Sequence, residues 1–331
     1  MAKAAGVSSA TVSFVINKPE KVKKETYDRV MQAIRELEYH PNFVAKSMAT
    51  NQTMQLGIVL EDISNPFSAG LVTGFENAAN DKGYFVNVCT TSGRVHDYFE
   101  SFLERQLDGI FVTALPYKFE TDRLYSLVEN GVRVIASGNI NVDHKRVAAI
   151  ENDYIDAMDQ AISYLHSLGH RSIAYVSGLS STFAYDLRYA GYIKALKKYG
   201  MEFDPRLYVD GKTPYRTGMN EGYRGVESLL GSGARFTAVI CTNDLMAIGA
   251  IRALEEKGMH VPDDVSVMGF DGIELGKYTL PSLTSMGFDQ FEFGKQAFEM
   301  LHASMTNNVV GYSCNPLKLI ERDSASKCNC S

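Results

Sequence analysis

The sequence GVSSATVSFVIN, residues 6–17, has the pattern of a tight turn followed by a short amphipathic helix. Gly6 supplies the positive φ that a tight turn between helices needs, and the Ser8 hydroxyl can cap the helix that follows. Three apolar side chains of that helix are expected to face inward: Val12, Val15 and Ile16. The side chains expected on its outer face are Ser9, Ala10, Ser13 and Phe14.

A second amphipathic segment lies between residues 24 and 37, where apolar side chains recur at spacings of three and four. With residues 2–5, these segments predict three short helices on a shared core, an all-α helix-turn-helix headpiece over residues 1–40, which would place one helix in the major groove of DNA. Two Ala- and Val-rich helices without DNA function would show the same periodicity, so that interpretation stays open here. The predicted DNA contacts are Ser8, Ser9, Ala10, Thr11, Ser13, Phe14 and Asn17.

Residues 40–53, HPNFVAKSMATNQT, favour the DNA-binding interpretation. They resemble the hinge helix that joins headpiece to core in the lactose-repressor-like (LacI/GalR) family of bacterial transcription regulators. The resemblance extends from residue 2 to about Ser324. It implies a hinge helix and linker at residues 41–53, lying in the minor groove. Met48 would replace the leucine that relatives insert there, and Asn42 and Lys46 would contact phosphates or groove edges.

The charges divide the chain into a basic start and an acidic remainder. Residues 1–50 carry eight Lys or Arg and five Asp or Glu, whereas the whole chain carries 33 and 39. Residues 1–50 therefore have a net charge of +3 and the remainder has −9. Positive charge on the headpiece suits contact with phosphates, and a dimer would present it twice along one face of the DNA.

From residue 56 onward, short apolar runs alternate with amphipathic helical segments, which predicts a parallel α/β sheet with helical crossovers. The pattern restarts near residue 172, so two similar half-domains are expected, with a cleft at the carboxyl ends of both sheets. With the resemblance, the predicted fold class is α/β: an all-α headpiece plus a two-lobed core of parallel sheets, like the type I periplasmic binding proteins. The predicted strands cover residues 56–60, 84–89, 109–113, 133–137, 148–150, 172–177, 207–209, 238–241 and 265–269.

The resemblance also implies how the core is divided. The effector-binding and dimerisation core is expected over residues 54–324, with lobe 1 at about 54–151 and 286–311 and lobe 2 at about 152–285 and 312–324. Three crossing segments, near Asn152, Leu280 and Tyr312, would form the hinge between the lobes. Residues 325–331 are expected to be an unstructured tail.

Several core motifs match the family and are expected at strand ends or helix starts on the cleft side. They are Asn65-Pro66-Phe67, Arg188 with Gly191-Tyr192, Thr242 to Gly249, and Met268 to Gly272. The match implies that Arg188 and Asp271 bind the effector. It also implies a pocket wall made by Phe67, Ser68, Thr213, Asn243 and Phe288.

These side chains suit a polyol. A carboxylate accepts from two hydroxyls, a guanidinium donates in a planar fork, an amide does both, and an aromatic face covers the C–H side of a sugar ring. The same set also fits purines or sugar phosphates. Structural alternatives stay open for three of them, because Asn243 can cap a helix, Asp271 can cap a turn and Phe67 can belong to the core.

Two features depart from the family pattern on the DNA side. Relatives have about five more residues before Ala2, so the headpiece is expected to be shortened at its start, through a truncated gene model or a genuine loss. Phe14 occupies a position where relatives carry Arg or His. A phenylalanine can touch a thymine methyl but cannot donate to guanine O6 or N7, so readout should favour thymine or depend on DNA shape.

The expected protein is a sequence-specific DNA-binding transcriptional regulator, most simply a repressor, controlled by a sugar or sugar derivative bound in the cleft. Its expected partners are a pseudo-palindromic operator, the effector and a second copy of the chain. No enzymatic activity, cofactor or metal is expected, since Gly231-Ser232-Gly233 follows a helix instead of a strand and the cysteines lack metal spacing.

The location is predicted from what the chain lacks. It has no N-terminal signal pattern and no run of 18 apolar residues, so a cytoplasmic protein without membrane contact is expected. Two alternatives to the regulator are a relative that binds effector but has lost DNA binding, and a sugar-binding receptor protein. The receptor would need the missing signal peptide.

Overall fold

The structure is a computed structural model. It describes residues 1–17, 19–37, 52–91, 95–113, 120–138, 140–178, 186–211 and 217–329. The chain divides into two compact units, Met1–Thr53 and Met54–Ser331. In the described part, no helix is both long enough and apolar enough to cross a membrane.

The first unit is a small helical headpiece. It contains α1 (Ser9–Asn17), a 3-10 turn (Pro19–Lys21) and α2 (Lys24–Glu36). The predicted cap is confirmed, because the Thr11 N–H donates to Ser8 Oγ at 3.1 Å. Before α1, residues 1–7 form turns, with Ala5 N–H donating to the Met1 carbonyl at 2.9 Å and Gly6 at φ 64°. The buried centre consists of Ala5, Val12, Val15, Val30 and Ala33.

The second unit alternates strands and helices through most of its length. In chain order the elements are β1 (Gln55–Leu60), α3 (Pro66–Asp81), β2 (Phe85–Thr90), α4 (Val95–Glu104), β3 (Gly109–Val112), α5 (Asp122–Glu129), β4 (Arg133–Ala136), β5 (Ala148–Asn152), α6 (Tyr154–Ser167), β6 (Ile173–Val176), α7 (Leu187–Lys198), β7 (Tyr208–Val209), α8 (Met219–Gly231), β8 (Ala238–Cys241), α9 (Asp244–Glu256), β9 (Ser266–Asp271), β10 (Thr284–Gly287), α10 (Gln290–Asn307), β11 (Tyr312–Asn315) and β12 (Lys318–Ile320).

These elements form two lobes, each with one six-stranded sheet. Lobe 1 has the order β11-β5-β4-β3-β1-β2, and all its pairings are parallel. Lobe 2 has the order β12-β10-β9-β8-β6-β7. Its sheet is parallel except at the edge, where the three-residue β12, a strand that the sequence pattern does not predict, runs antiparallel to β10. The central strands are buried along their whole length because helices cover both faces.

Glycines let paired helices cross closely in both lobes. A Cβ on Gly74 of α3 would overlap the Phe291 carbonyl of α10, and one on Gly294 would overlap the Leu71 carbonyl. In lobe 2, Gly222 of α8 and Gly249 of α9 face each other's backbone in the same way. The two lobes therefore use the same packing device, in line with the similar half-domains that the sequence predicts.

Two of the predicted lobe boundaries need correction. The second crossing follows β10 at residues 288–289, because residues 284–287 pair with β9 and continue the lobe 2 sheet. The third crossing follows β11 at about residue 316, because Tyr312 pairs with Ala149 in the lobe 1 sheet. The crossings predicted near Leu280 and Tyr312 therefore lie too early in the chain.

The prediction of an unstructured tail is also wrong for residues 325–329, which are hydrogen-bonded to lobe 2. His170 is buried against it, with one ring nitrogen 2.8 Å from Thr237 Oγ1 and the other 3.0 Å from the Ser326 carbonyl. The Cys328 N–H donates to the Leu168 carbonyl at 2.9 Å. Burial lowers the pKa of His170 and so favours the neutral ring, whose N–H can donate to the Ser326 carbonyl.

Candidate functional site

Arg188 lies in the first turn of α7 and is only 8% exposed. The helix start is fixed by Asp186, whose side chain accepts from the Tyr189 N–H at 3.0 Å. Ser177 Oγ, just after β6, donates to the other carboxylate oxygen of Asp186 at 3.1 Å. A strand end and a helix cap thus hold the guanidinium at the carboxyl edge of the lobe 2 sheet, where open α/β sheets bind ligands.

The guanidinium of Arg188 is stacked more than it is hydrogen-bonded. Its Cζ lies 3.6 Å from the centroid of the Tyr154 ring and 5.4 Å from that of Phe270. Nη2 is 3.7 Å from Asp271 Oδ1, which is an ion pair but too long for a hydrogen bond. Within the described residues, Nε has no hydrogen-bond partner. Burial lowers the pKa of Arg188, but neighbouring Tyr154 and Asp271 raise it on balance, so the group stays charged.

Asp271, the last residue of β9, is 7% exposed and has a positive φ of 99°. The loop after it is held by Asp244, a fully buried acid at the start of α9. Asp244 accepts from the Ile273 N–H at 2.7 Å and from Ser285 Oγ at 2.6 Å. Ser285 Oγ in turn accepts from the Gly272 N–H at 3.1 Å. Asp244 therefore fixes the unusual backbone that carries Asp271.

Burial dominates the electrostatics of these acids. It raises the pKa of Asp271 to about 7, against the opposing effect of the Arg188 charge. Burial, followed by repulsion from Asp271, raises the pKa of Asp244 well above its ordinary value. At neutral pH, Asp271 is thus poised between a carboxylate, which only accepts, and a carboxylic acid, which also donates.

Lobe 1 contributes aromatic side chains. The ring of Phe67, in the first turn of α3, meets the ring of Phe288 edge to face at 5.9 Å. Phe288 stands at the second crossing and packs against the hydrophobic cores of both lobes. Asn65 caps α3 by accepting from the Phe67 N–H at 3.0 Å, and Ser68 Oγ donates to the Asp62 carbonyl at 2.8 Å.

Asn243 acts as the N-cap of α9. Its Oδ1 accepts from the Met246 N–H at 2.9 Å, and its Nδ2 donates to the Thr217 carbonyl at 3.0 Å. The structure thus shows Asn243 in the helix-capping role that the sequence left open as an alternative to effector binding. Thr213, the other polar wall residue, lies outside the described residues.

On the headpiece, the predicted outer face of α1 is exposed. Ser9, Ala10 and Ser13 are all exposed, and Phe14 is 48% exposed. Ser8 Oγ is occupied by Thr11, through its N–H and through its hydroxyl at 2.9 Å. The side chain of Asn17 and the hinge residues Asn42, Lys46 and Met48 lie outside the described residues.

Comparisons with known proteins bear on both units. Residues 1–42 match the family model described as bacterial regulatory proteins, lacI family. Residues 162–325 match that of the periplasmic binding protein-like domain. The HTH-type transcriptional repressor PurR of Pasteurella multocida is 33% identical over 289 residues, covering 86% of this chain and 84% of that protein. The chain belongs to the lacI family.

Solved structures of this family share the fold. The Lac repressor dimer bound to operator and the anti-inducer ONPF matches with a TM-score of 0.84 and 25% identity, over 98% of this chain and 97% of that chain. The transcriptional regulator CelR–cellobiose complex matches with a TM-score of 0.75 and 28% identity, over 98% of both. A regulator from Enterococcus faecium with bound ribose has a TM-score of 0.73 at 25% identity, over 82% of this chain and 99% of that one.

This lacI-family chain is a DNA-binding transcriptional repressor with a ligand-binding core of the type I periplasmic-binding-protein kind. Its relatives are repressors, not enzymes. Sequence reasoning did not identify Tyr154 or Asp244 as parts of the site. Tyr154 directly follows an Asp that caps α6, and Asp244 begins α9, so both resemble ordinary helix-start residues. Only the spatial contact with Arg188 or with the Asp271 loop reveals their roles.

Proposed function

We propose that the effector of this repressor is a carbohydrate that binds against Arg188 and Asp271. The observation that carries the proposal is this buried ion pair, in which the guanidinium is stacked on Tyr154 and its Nε lacks a partner among the described residues. Buried polar groups normally have partners, so an arginine held this way is suited to a ligand with hydroxyl groups. Two relatives of similar fold carry cellobiose and ribose, which supports the same class of ligand.

In this proposal the two lobes contribute differently to the pocket. Arg188 donates to the effector and Asp271 accepts from it. The Phe67 and Phe288 rings cover its apolar side, as expected for sugar recognition. Asn243 serves chiefly to fix the start of α9, and Ser68 to fix the start of α3. Thr213 is proposed to complete the wall.

On the DNA side, we propose a homodimer that places two headpieces on the half-sites of a pseudo-palindrome. The exposed face of α1, from Ser9 to Phe14 with Thr11 and Asn17, would lie in the major groove, and Ser8 would fix the helix start. Asn42, Lys46 and Met48 would contact the minor groove from the hinge. The Lac repressor dimer on its operator supports this arrangement. The proposed location is the cytoplasm, where the operator is accessible.

The effector would act by changing the arrangement of the lobes. Arg188 and Asp271 belong to lobe 2, Phe67 belongs to lobe 1, and Phe288 stands on the connection between them. A ligand that touches all four favours one lobe arrangement over another. Operator affinity changes only if the ligand binds the two arrangements with different affinity.

A ligand screen on the full chain tests the effector class. Ribose, cellobiose and other free sugars are compared with purine bases and sugar phosphates, which the same donor and acceptor set could bind. A ligand that binds only the folded state at about a hundredfold over its Kd stabilises it by about 2.7 kcal/mol, which a thermal shift detects. Stabilisation by a base alone would contradict the carbohydrate proposal while leaving the site in place.

Selection from a random DNA library tests the operator. A palindromic motif is expected, and its affinity should fall by about 10³ to 10⁵ between about 50 and 200 mM salt, because several phosphates are contacted. Phe14→Arg should shift the preferred half-site towards guanine. If the library stays unenriched with wild-type protein, the proposed DNA contacts are wrong.

A further inference from the structure

Asn152 has an unusual position for a polar residue. It is the last residue of β5, at the first crossing between the lobes, and is 4% exposed. Its Nδ2 donates to the Tyr154 hydroxyl across 3.4 Å. Its Oδ1 is buried and has no hydrogen-bond partner among the residues that the structure describes. Such atoms are uncommon in folded proteins and call for a physical reason.

A second observation points in the same direction. In the described part of the chain, the buried side-chain atoms that lack a partner are Asn152 Oδ1 and Arg188 Nε. Both side chains adjoin Tyr154: the amide meets its hydroxyl, and the guanidinium lies over its ring at 3.6 Å. One unpartnered atom accepts hydrogen bonds and the other donates them. Because both atoms adjoin the same aromatic ring, they indicate a binding site whose ligand must supply one hydrogen-bond donor and one acceptor.

We propose that Asn152 Oδ1 accepts a hydrogen bond from the effector, and that Asn152 is a specificity-determining residue of the pocket. The inference rests on the proposed effector site at Arg188 and Asp271, and it narrows the ligand class. The effector must present a donor to Asn152 and an acceptor to Arg188 Nε. A pair of sugar hydroxyls meets both needs, because each hydroxyl donates and accepts. A methyl or ether group facing Asn152 would leave its acceptor unpaired and would be selected against.

The position of Asn152 also connects ligand recognition with the hinge. The next residue, Asp153, caps α6 of lobe 2 by accepting from the Asp156 N–H at 2.9 Å. The Asp153 N–H donates to the Asn315 carbonyl, at the third crossing, also at 2.9 Å. A ligand bonded to Asn152 is therefore bonded to the chain at the point where lobe 1 becomes lobe 2.

The test compares two asparagines that are paired neighbours on adjacent strands. Asn152→Leu removes the unpartnered acceptor and keeps the number and branching of the side-chain heavy atoms. Asn315→Leu is the matched control, since Asn315 is in register with Asn152 on β11 but its amide donates to Gln296 Oε1 at 3.0 Å. Melting temperature without ligand and the calorimetric Kd of ribose, cellobiose and the other screened sugars are measured for the full-length wild type and both variants.

Asn152→Leu is expected to weaken binding of the recognised sugar at least tenfold while melting at or above the wild-type temperature. The reason is that replacing the unpartnered Oδ1 by an apolar group offsets the loss of the long 3.4 Å bond from Nδ2 to the Tyr154 hydroxyl. Asn315→Leu should melt lower, because it loses a bond, and should keep the wild-type Kd within about threefold. A purely structural Asn152 would show the reverse, a lower melting temperature with unchanged Kd, and that result would overturn the inference.

Deoxy sugars identify the bonded group. Among the monodeoxy derivatives of the recognised sugar, one should bind wild type at least tenfold more weakly than the parent, yet bind Asn152→Leu as well as the parent does. Equal losses in both proteins for every derivative would contradict the assignment. If wild type binds none of the sugars, the carbohydrate proposal fails separately, and a melting temperature of Asn152→Leu several degrees below wild type would still overturn the inference about Asn152.

Discussion

The two lobes present different chemistry to the effector site. Lobe 2 contributes a buried ion pair, Arg188 and Asp271, supported from below by the buried acid Asp244. Lobe 1 contributes the Phe67 ring, which meets Phe288 at the crossing, and its nearby polar atoms are already used to cap α3. Lobe 2 thus presents charged, incompletely paired groups, whereas lobe 1 presents an aromatic ring and, at the end of β5, the single neutral acceptor of Asn152.

This difference suggests a division of labour in binding. Directional hydrogen bonds from lobe 2 fix the orientation of the ligand, and most of the affinity is expected to depend on them. The aromatic rings of lobe 1 add contact area when the lobes close, with a smaller and less directional effect. Variants on the two sides should therefore differ in magnitude and in pH dependence.

The largest effect is expected from Arg188→Ala. It removes the donor and leaves Asp271 buried without its cation, so effector affinity should fall by about 3 kcal/mol or more, roughly a hundredfold. Calorimetry measures the change. Arg206→Ala is the control, because Arg206 is on the same lobe but pairs with Asp204 at 2.7 Å on the exposed surface. Equal affinity losses in both variants would remove the distinction between the lobes.

A pH dependence should follow from Asp271. Its pKa is raised to about 7 in the folded protein, so protonation begins at neutral pH and competes with accepting from the ligand. Effector affinity should fall about tenfold for each pH unit below about 7. Titrations between pH 5 and 8 measure this slope, which Asp271→Asn should abolish along with most of the affinity.

The stability of the ligand-free protein should change in the opposite direction. The folded state holds the Asp271 proton more tightly than the unfolded chain, whose pKa is near the ordinary 3.8. This group therefore stabilises the fold increasingly as pH falls from about 7 towards 4, by at most about 1.4 kcal/mol per unit. Denaturant unfolding of wild type and Asp271→Asn isolates this contribution, and identical pH profiles would show that Asp271 does not titrate there.

A smaller effect is expected from Phe67→Ala on the lobe 1 side. The variant loses the aromatic cover and the edge contact with Phe288, which together are worth about 1 to 1.5 kcal/mol, or roughly tenfold in affinity. The loss should be independent of pH between 5 and 8. A steep pH dependence in this variant would mean that the ring also controls the protonation of Asp271.

The smallest effect is expected from Ser68→Ala. Its hydroxyl donates to the Asp62 carbonyl at 2.8 Å, so the variant should lose about 1 kcal/mol of stability while its effector Kd stays within twofold. Parallel melting and calorimetry separate the two quantities. A tenfold loss of affinity would make Ser68 a ligand contact, and lobe 1 would then contribute a second polar group beside Asn152.

Periodicity predicts the apolar strands well but misses β10, a buried strand of sequence TSMG, and the short edge strands β11 and β12. β3 and β8 are continuous apolar runs that are buried throughout, and both are predicted. β11 alternates exposed and half-buried residues, beginning with the exposed Tyr312, and β12 has only three residues. Such short edge strands carry little sequence signal, because pairing with a distant strand defines them. The ordered tail is not predicted from sequence for the same reason, because His170, which contacts Ser326, lies 156 positions earlier in the chain.

Prediction of the effector site from sequence has the same limit, because it misses residues whose roles depend on distant contacts. Arg188 can be singled out from sequence because a charged residue on an apolar helix needs a partner. The unpartnered acceptor of Asn152 cannot be predicted from sequence, because whether an amide oxygen has a hydrogen-bond partner depends on atoms from other segments of the chain. Asp244 is likewise ordinary in sequence, and its support of the Asp271 loop depends on Ser285, which is 41 positions later.

The three crossings have a genetic consequence. Lobe 1 is assembled from two separate stretches of the chain, and so is lobe 2, whereas the headpiece ends once, near Thr53. A single recombination event between related genes can therefore exchange the whole DNA-reading unit without disturbing either sheet. Exchange of one ligand-binding lobe would require breakpoints near residues 153, 288 and 316 together. New operator preferences can thus spread among such genes by recombination, while new effector preferences must arise mainly by substitution within a lobe.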